Sequence, residues 1–227
     1  MSMLLAAAAV FVLMHLLIAG TRLRSVLVGT VGEPAYMGLF SLASLGVIVW
    51  LSMAYGAARG TGPVWWSTPA ETGRWVQAGV QLLALLLVVP GLLTSNPTSV
   101  KQEGALARPV TGILRITRHP FLWGVAVWAA GHLAVNGDAP SVVLFASLAL
   151  LAVSGTWSID AKRRARFGAE YEAFVAQTSN VPFAAVLQGR QPLKLMEIGW
   201  WRLAVAVAVW AGLLYGHGLL FGVSALP

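Results

Sequence analysis

The sequence predicts an all-α, polytopic membrane helix bundle of about six transmembrane helices with both termini outside. Three observations predict it. Hydrophobic residues make up 58% of the 227 and charged residues only 10%, with a mean hydropathy of +0.76. Apolar runs of about 18 residues or more, the length that crosses a bilayer core, recur along the chain. Lysine and arginine crowd into alternate connections between those runs, the asymmetry that sets membrane orientation.

The spans read, in order, as roughly 3–20, 37–55, 75–93, 120–136, 140–157 and 199–220. The first lacks the basic start and the small-residue cleavage site of a signal peptide, so it reads as a retained span. Gly32-Glu33-Pro34 opens the second. The third carries Pro90 near its end, where neighbouring helices can satisfy the freed carbonyl, and Ser95-Asn96-Pro97 closes it. Pro120 starts the fourth, and Asn136-Gly137-Asp138-Ala139-Pro140 makes a tight turn into the fifth. The fifth extends out of the membrane through Asp160 and the basic run Lys162, Arg163, Arg164, Arg166. Trp200 and Trp201 begin the sixth at the level where aromatic belts sit. With no internal repeat, 1–227 reads as a single domain.

The net charge of +7 does not point to nucleic acid, because the cations sit in short loops between apolar runs. Connections after the first, third and fifth spans hold Arg22 and Arg24; Lys101, Arg108, Arg115 and Arg118; and seven more between Lys162 and Arg202, against Arg59 and Arg74 on the other side. The crowded side is therefore cytoplasmic. Its basic runs suit topology and contact with anionic headgroups, so membrane lipids are the expected partners. Absence of cysteine removes disulfides, thiolate metal sites and cysteine nucleophiles together.

Four histidines, His15, His119, His132 and His217, lie in or at the ends of spans. An ionisable ring there is a functional-site candidate. The readings are an interhelical hydrogen bond, a bis-histidine haem, a non-haem metal or a proton relay. His119 and His132 stand roughly 140° apart at about 100° per residue, so they serve different sites. Depth pairs His132 with His217, and small Gly124 and Gly131 with Trp128 beside His132 leave room for something flat. Arg22 lies two turns beyond His15, a distance suited to a haem propionate or simply to fixing topology.

Three motifs carry a resemblance over nearly the whole chain: Phe11-Val12-Leu13-Met14-His15, Thr117-Arg118-His119-Pro120-Phe121-Leu122-Trp123-Gly124, and Gly131-His132-Leu133-Ala134-Val135-Asn136-Gly137-Asp138. Phe221-Gly222-Val223-Ser224 adds to them. In these the sequence resembles the NnrU family of bacterial membrane proteins and the related plant 15-cis-zeta-carotene isomerase. The resemblance implies a multi-pass protein of the bacterial inner membrane, linked to denitrification through nitrite and nitric oxide reduction. It also implies haem b on His15 and His132, with isomerase or redox chemistry and a hydrophobic polyene or a respiratory complex as partner. The plant enzyme's redox-active cysteine falls at Ala129, so that switch is missing here.

A second, more distant likeness is to the isoprenylcysteine and phospholipid methyltransferases. It rests on Arg118-His119-Pro120, Asp160, and Phe167-Gly168-Ala169-Glu170-Tyr171. It implies S-adenosylmethionine held by Arg118, His119 and Asp160, although Ile159-Asp160 stands where that family carries two glutamates. A non-catalytic assembly factor, its histidines bonding between helices, is the third reading.

Overall fold

Helices account for almost all the regular structure of the computed structural model, which describes residues 1–226. In chain order they are α1 (Ser2–Leu13), α2 (Leu23–Val31), α3 (Glu33–Ala58), α4 (Ala70–Leu93), α5 (Pro120–Val135), α6 (Ala139–Phe167), α7 (Ala169–Gln177), the short α8 (Ala184–Leu187) and α9 (Trp200–Phe221). α1 continues as a π-helical stretch, Met14–Ala19. Five segments are long and apolar enough to cross a membrane: Ser2–Ala19, α3, α4, α6 and α9. α5 is apolar but has 16 residues, roughly 24 Å of helix, less than the ~30 Å hydrocarbon core. The protein is an integral membrane protein of helical architecture. The expected six apolar segments are all helices, five of them of spanning length.

The chain divides into two compact units, Met1–Thr68 with His132–Leu151, and Pro69–Gly131 with the chain from Ala152 onward. In the first unit α1 packs along α3, with Leu4, Ala7, Ala8 and Phe11 against Leu51, Ala54 and Ala58. Alanines at these positions let the two backbones approach, the usual device where lipid supplies no hydrophobic force between helices. The same unit holds a two-stranded antiparallel ribbon, β1 (Val64–Ser67) with β2 (Asn136–Asp138). The segment expected to be a bare turn thus pairs as a strand before α6 begins. Gly137 is required there: a Cβ at that position would stand 2.2 Å from the Trp66 carbonyl oxygen.

In the second unit α4 packs on α9, and Trp210 Nε1 donates to the Ala78 carbonyl at 2.9 Å. α5 lies close on α4. A Cβ on Gly124 would meet Val88 Cγ2 at 2.5 Å and the Ala84 oxygen at 2.8 Å, and one on Gly131 would meet Val80 and Gln77 at 2.7 and 2.9 Å. These glycines therefore admit a neighbouring helix, not the flat ligand the sequence suggested. The polar end of this unit has its own core of Val110, Ile113, Leu114, Ile116, Tyr171, Phe174 and Ile198. A clasp closes over it. Arg115 Nε donates to Glu197 at 2.7 Å, Arg115 also bonds Gln191, and the Gly112 amide donates to Glu197.

Candidate functional site

Pro120 fixes the first turn of α5, which suits a residue without an amide hydrogen. The two residues before it, Arg118 and His119, are held outside the helix by the chain around 178–183. The Arg118 amide donates to the Ser179 carbonyl, and the Arg118 carbonyl accepts from Asn96 Nδ2 and Thr98 Oγ1. Their side chains converge on Asp160 of α6. Arg118 Nε donates to Oδ1 at 2.9 Å and Nη2 to Oδ2 at 2.5 Å. His119 Nε2 lies 2.8 Å from Oδ1. Tyr171 of α7 donates its hydroxyl to Oδ1 at 2.6 Å, and Asn180 Nδ2 donates to Oδ2 at 3.2 Å.

All three partners are buried, with side-chain exposures of 7% for Arg118, 1% for His119 and 3% for Asp160. A carboxylate surrounded by donors is acceptor-only, so His119 Nε2 carries the hydrogen and Nδ1 is the bare nitrogen. Nδ1 has no hydrogen-bond partner among the described residues. Burial pushes the His119 pKa below its ordinary value, and Asp160 opposes the shift. Burial and the neighbouring Asp160 carboxylate push the Tyr171 phenol up.

The arrangement bears on the methyltransferase reading. Asp160 accepts from Arg118, His119, Tyr171 and Asn180, which fills its oxygens. Arg118 spends Nε and Nη2 on the same carboxylate. The motif residues of that likeness converge, and their side chains bond one another through Asp160. An open cleft of about 560 Å³ lies alongside, lined by Arg118, Val175, Thr178, Asn180, Val181 and Arg190. Arg190 there donates to the Ala176 and Thr178 carbonyls.

The histidines of the first unit stand elsewhere. His15, in the π-helical stretch, bonds the Phe11 carbonyl through Nδ1 at 2.7 Å and meets Ser44 Oγ through Nε2 at 3.3 Å. Its ring lies against Phe11 and Phe40. His132 stacks on Phe145, centroids 4.5 Å apart, and Phe145 in turn meets Tyr55. His15 thus touches α3 at Phe40 and Ser44, and the His132–Phe145 pair reaches it at Tyr55, roughly 16 Å further along the helix. Two axial ligands must face each other across one iron. In this arrangement the pair does not fit a bis-histidine haem b: His15 has both ring nitrogens engaged, and the rings stand at different levels.

Arg22 and His217 each have their own surroundings. Arg22 is exposed at the turn into α2, whereas Arg24 is the ordered cation, paired with Glu33 at 3.0 Å and lying over the Tyr36 ring. His217 belongs to the second unit and is turned onto the Val223 carbonyl at 2.6 Å. Ala129, the position of the missing cysteine, is fully buried. Asn180, Asn96 and Thr98 had no signal in the sequence, because they reach the cluster from irregular segments.

Comparison with known proteins decides the family. The model of the NnrU protein family matches residues 3–225. The chain belongs to the NnrU family. NnrU relatives include the chloroplastic 15-cis-zeta-carotene isomerase of Zea mays, 30% identical over 169 residues covering 72% of this chain and 45% of that protein. The Arabidopsis thaliana enzyme of the same name is 28% identical over 224 residues, 95% of this chain and 59% of the plant protein. The NnrU chain thus spans about half the length of the curated relatives it matches. No solved structure matches it.

Proposed function

We propose that this NnrU protein is a membrane-embedded isomerase acting on a long apolar polyene of the 15-cis-zeta-carotene type. The observation that carries the reading is the match to the two plant isomerases, extending over 95% of the chain in the Arabidopsis case. A groove in the first unit supports it. Leu5, Ala8, Ala9, Val12 and Leu13 of α1 and Val143, Ala146, Ser147 and Leu150 of α6 line a cleft of about 410 Å³. These positions extend roughly 12 Å along α1, with small Ala8, Ala9, Ala146 and Ser147 leaving the space. The cleft is almost wholly apolar, as a hydrocarbon chain requires. The same stretch of α6 carries Phe145, on which His132 stacks.

In this reading the groove holds one arm of the polyene straight while the double bond turns, and the surrounding apolar wall excludes water. Conversion of 15-cis-zeta-carotene by the protein in lipid nanodiscs, followed by chromatography, tests it. Conversion is expected, with a fall of at least tenfold in Ala146→Trp, which fills the groove. An inactive preparation under conditions where the maize enzyme converts the same substrate would overturn the reading. Haem b on His15 and His132, and a link to denitrification, rest on the family resemblance. Optical titration with haem tests the first, and growth of a deletion strain on nitrite the second. Neither carries a step here.

A further inference from the structure

The segment between Val181 and Trp201 presents a set of apolar side chains that nothing else in its unit covers. Leu187 is 85% exposed and Met196 86%, and Phe183, Leu193 and Leu195 are exposed beside them. Irregular segments that display large apolar groups to water are usually loose, but this one is tied down. The Phe183 amide donates to the Ile116 carbonyl at 2.8 Å, and the Arg190 amide to Ala185, which is itself fully buried. Gln191 and Glu197 are held by the Arg115 clasp.

Phe183 adds an independent sign. It adopts the left-handed conformation at φ 64°, a conformation costing a non-glycine residue roughly 1–2 kcal/mol. Such a residue persists where the surroundings hold it, and it is commonly part of a functional surface. Its side chain is among the exposed ones, so the strain is not repaid by burial within the protein.

Charge and continuity identify what covers this face. Arg190 and Lys194 are exposed among the apolar residues; Arg190 donates to backbone carbonyls, and Lys194 lies 3.6 Å from Glu197, the one acid of the segment, which Arg115 already pairs at 2.7 Å, so the segment keeps a surplus of positive charge. The segment runs directly into the exposed Trp200 and Trp201, which begin the apolar helix α9. Apolar side chains interleaved with exposed cations, next to exposed tryptophans, match the chemistry of an anionic lipid leaflet: acyl boundary for the first, phosphate for the second. We propose that residues 181–196 form an interfacial foot that lies in the headgroup layer of an anionic leaflet. Phe183, Leu187 and Met196 enter the acyl boundary, and Lys194 meets lipid phosphate. This placement does not depend on the isomerase reading.

The absence of cysteine makes the test direct. Leu187→Cys and Met196→Cys each give a single thiol at a position too exposed to disturb folding, for an environment-sensitive fluorophore. The proteins are placed in nanodiscs of phosphatidylcholine alone or with phosphatidylglycerol, with acyl-brominated lipid as quencher. Blue-shifted emission and bromolipid quenching are expected at both positions, at least twofold stronger in the anionic discs. Lys194→Glu should erase that difference while leaving the quenching in neutral discs. Water-like emission quenched by iodide in both discs would overturn the proposal. Equal quenching in neutral and anionic discs would overturn its anionic part. A blue shift in detergent without bromolipid quenching would mean that another protein, or a second copy, covers the face instead.

Discussion

At the scale of single residues, the buried cluster on Asp160 is the most consequential arrangement. Removing one partner of a buried charge pair leaves the other uncompensated, which costs about 3–5 kcal/mol. Asp160→Ala should therefore lower thermal stability in detergent steeply, by well over 10 °C or to the point of no folded protein. Tyr171→Phe removes one bond of five or so and should cost about 1–3 kcal/mol. His119 makes the cluster pH-sensitive in a defined direction. Burial lowers its folded pKa, so the unfolded chain takes up the proton first as pH falls. The stability is complete above about pH 6.5, the ordinary histidine value, and is lost as pH falls through the folded pKa. Unfolding temperatures measured from pH 8 to 5 should show that loss, and His119→Gln should flatten the curve below 6.5. An unchanged acid slope in that variant would place the titration elsewhere. Glu197 behaves differently: hydrogen bonds from Arg115 hold its carboxyl down at about 2, so the clasp persists through the same range.

At the scale of elements, the packing of α5 on α4 is decided by two glycines. Gly124→Leu and Gly131→Val should prevent close approach and abolish folded protein on size-exclusion chromatography. Gly155→Ala, whose Cβ would meet only the end of the Leu122 side chain, at 3.4 and 3.9 Å, should fold normally and serves as the control. These elements also show what the sequence discloses. The long apolar helices were legible because length and hydropathy alone specify them, and the extension of the fifth segment to Phe167 followed from its basic tail. Gly124 and Gly131 were visible but misread, since a small residue beside a histidine looks the same whether it faces a ligand or a helix backbone. The ribbon of Val64–Ser67 with Asn136–Asp138 was hidden because its strands are only four and three residues long and pair across 68 residues of intervening chain. Arg118, His119, Asp160 and Tyr171 stood out as motif residues. Their mutual bonds did not, because convergence on one carboxylate depends on where α6, α7 and the 178–183 chain meet.

At the scale of the whole molecule, two compact units carry different chemistry. One holds an apolar groove between α1 and α6, with His15 and His132 on the same group of helices; the other holds the Asp160 cluster, the Arg115 clasp and the exposed 181–196 segment. In the proposed isomerase reading the apolar groove of the first unit is where the polyene lies. The second unit's buried charges are paired within the protein, which suits a rigid polar end facing headgroups. The separation of His15 and His132 along α3 gives a further expectation: haem titration should show no absorption change lost in both His15→Ala and His132→Ala. The most direct test of the central claim remains the conversion of 15-cis-zeta-carotene by the purified protein in nanodiscs, read by chromatography. Conversion that falls at least tenfold in Ala146→Trp, with that variant's unfolding temperature unchanged, is the predicted result. No conversion by the unaltered protein, beside a maize enzyme active in the same discs, would contradict it.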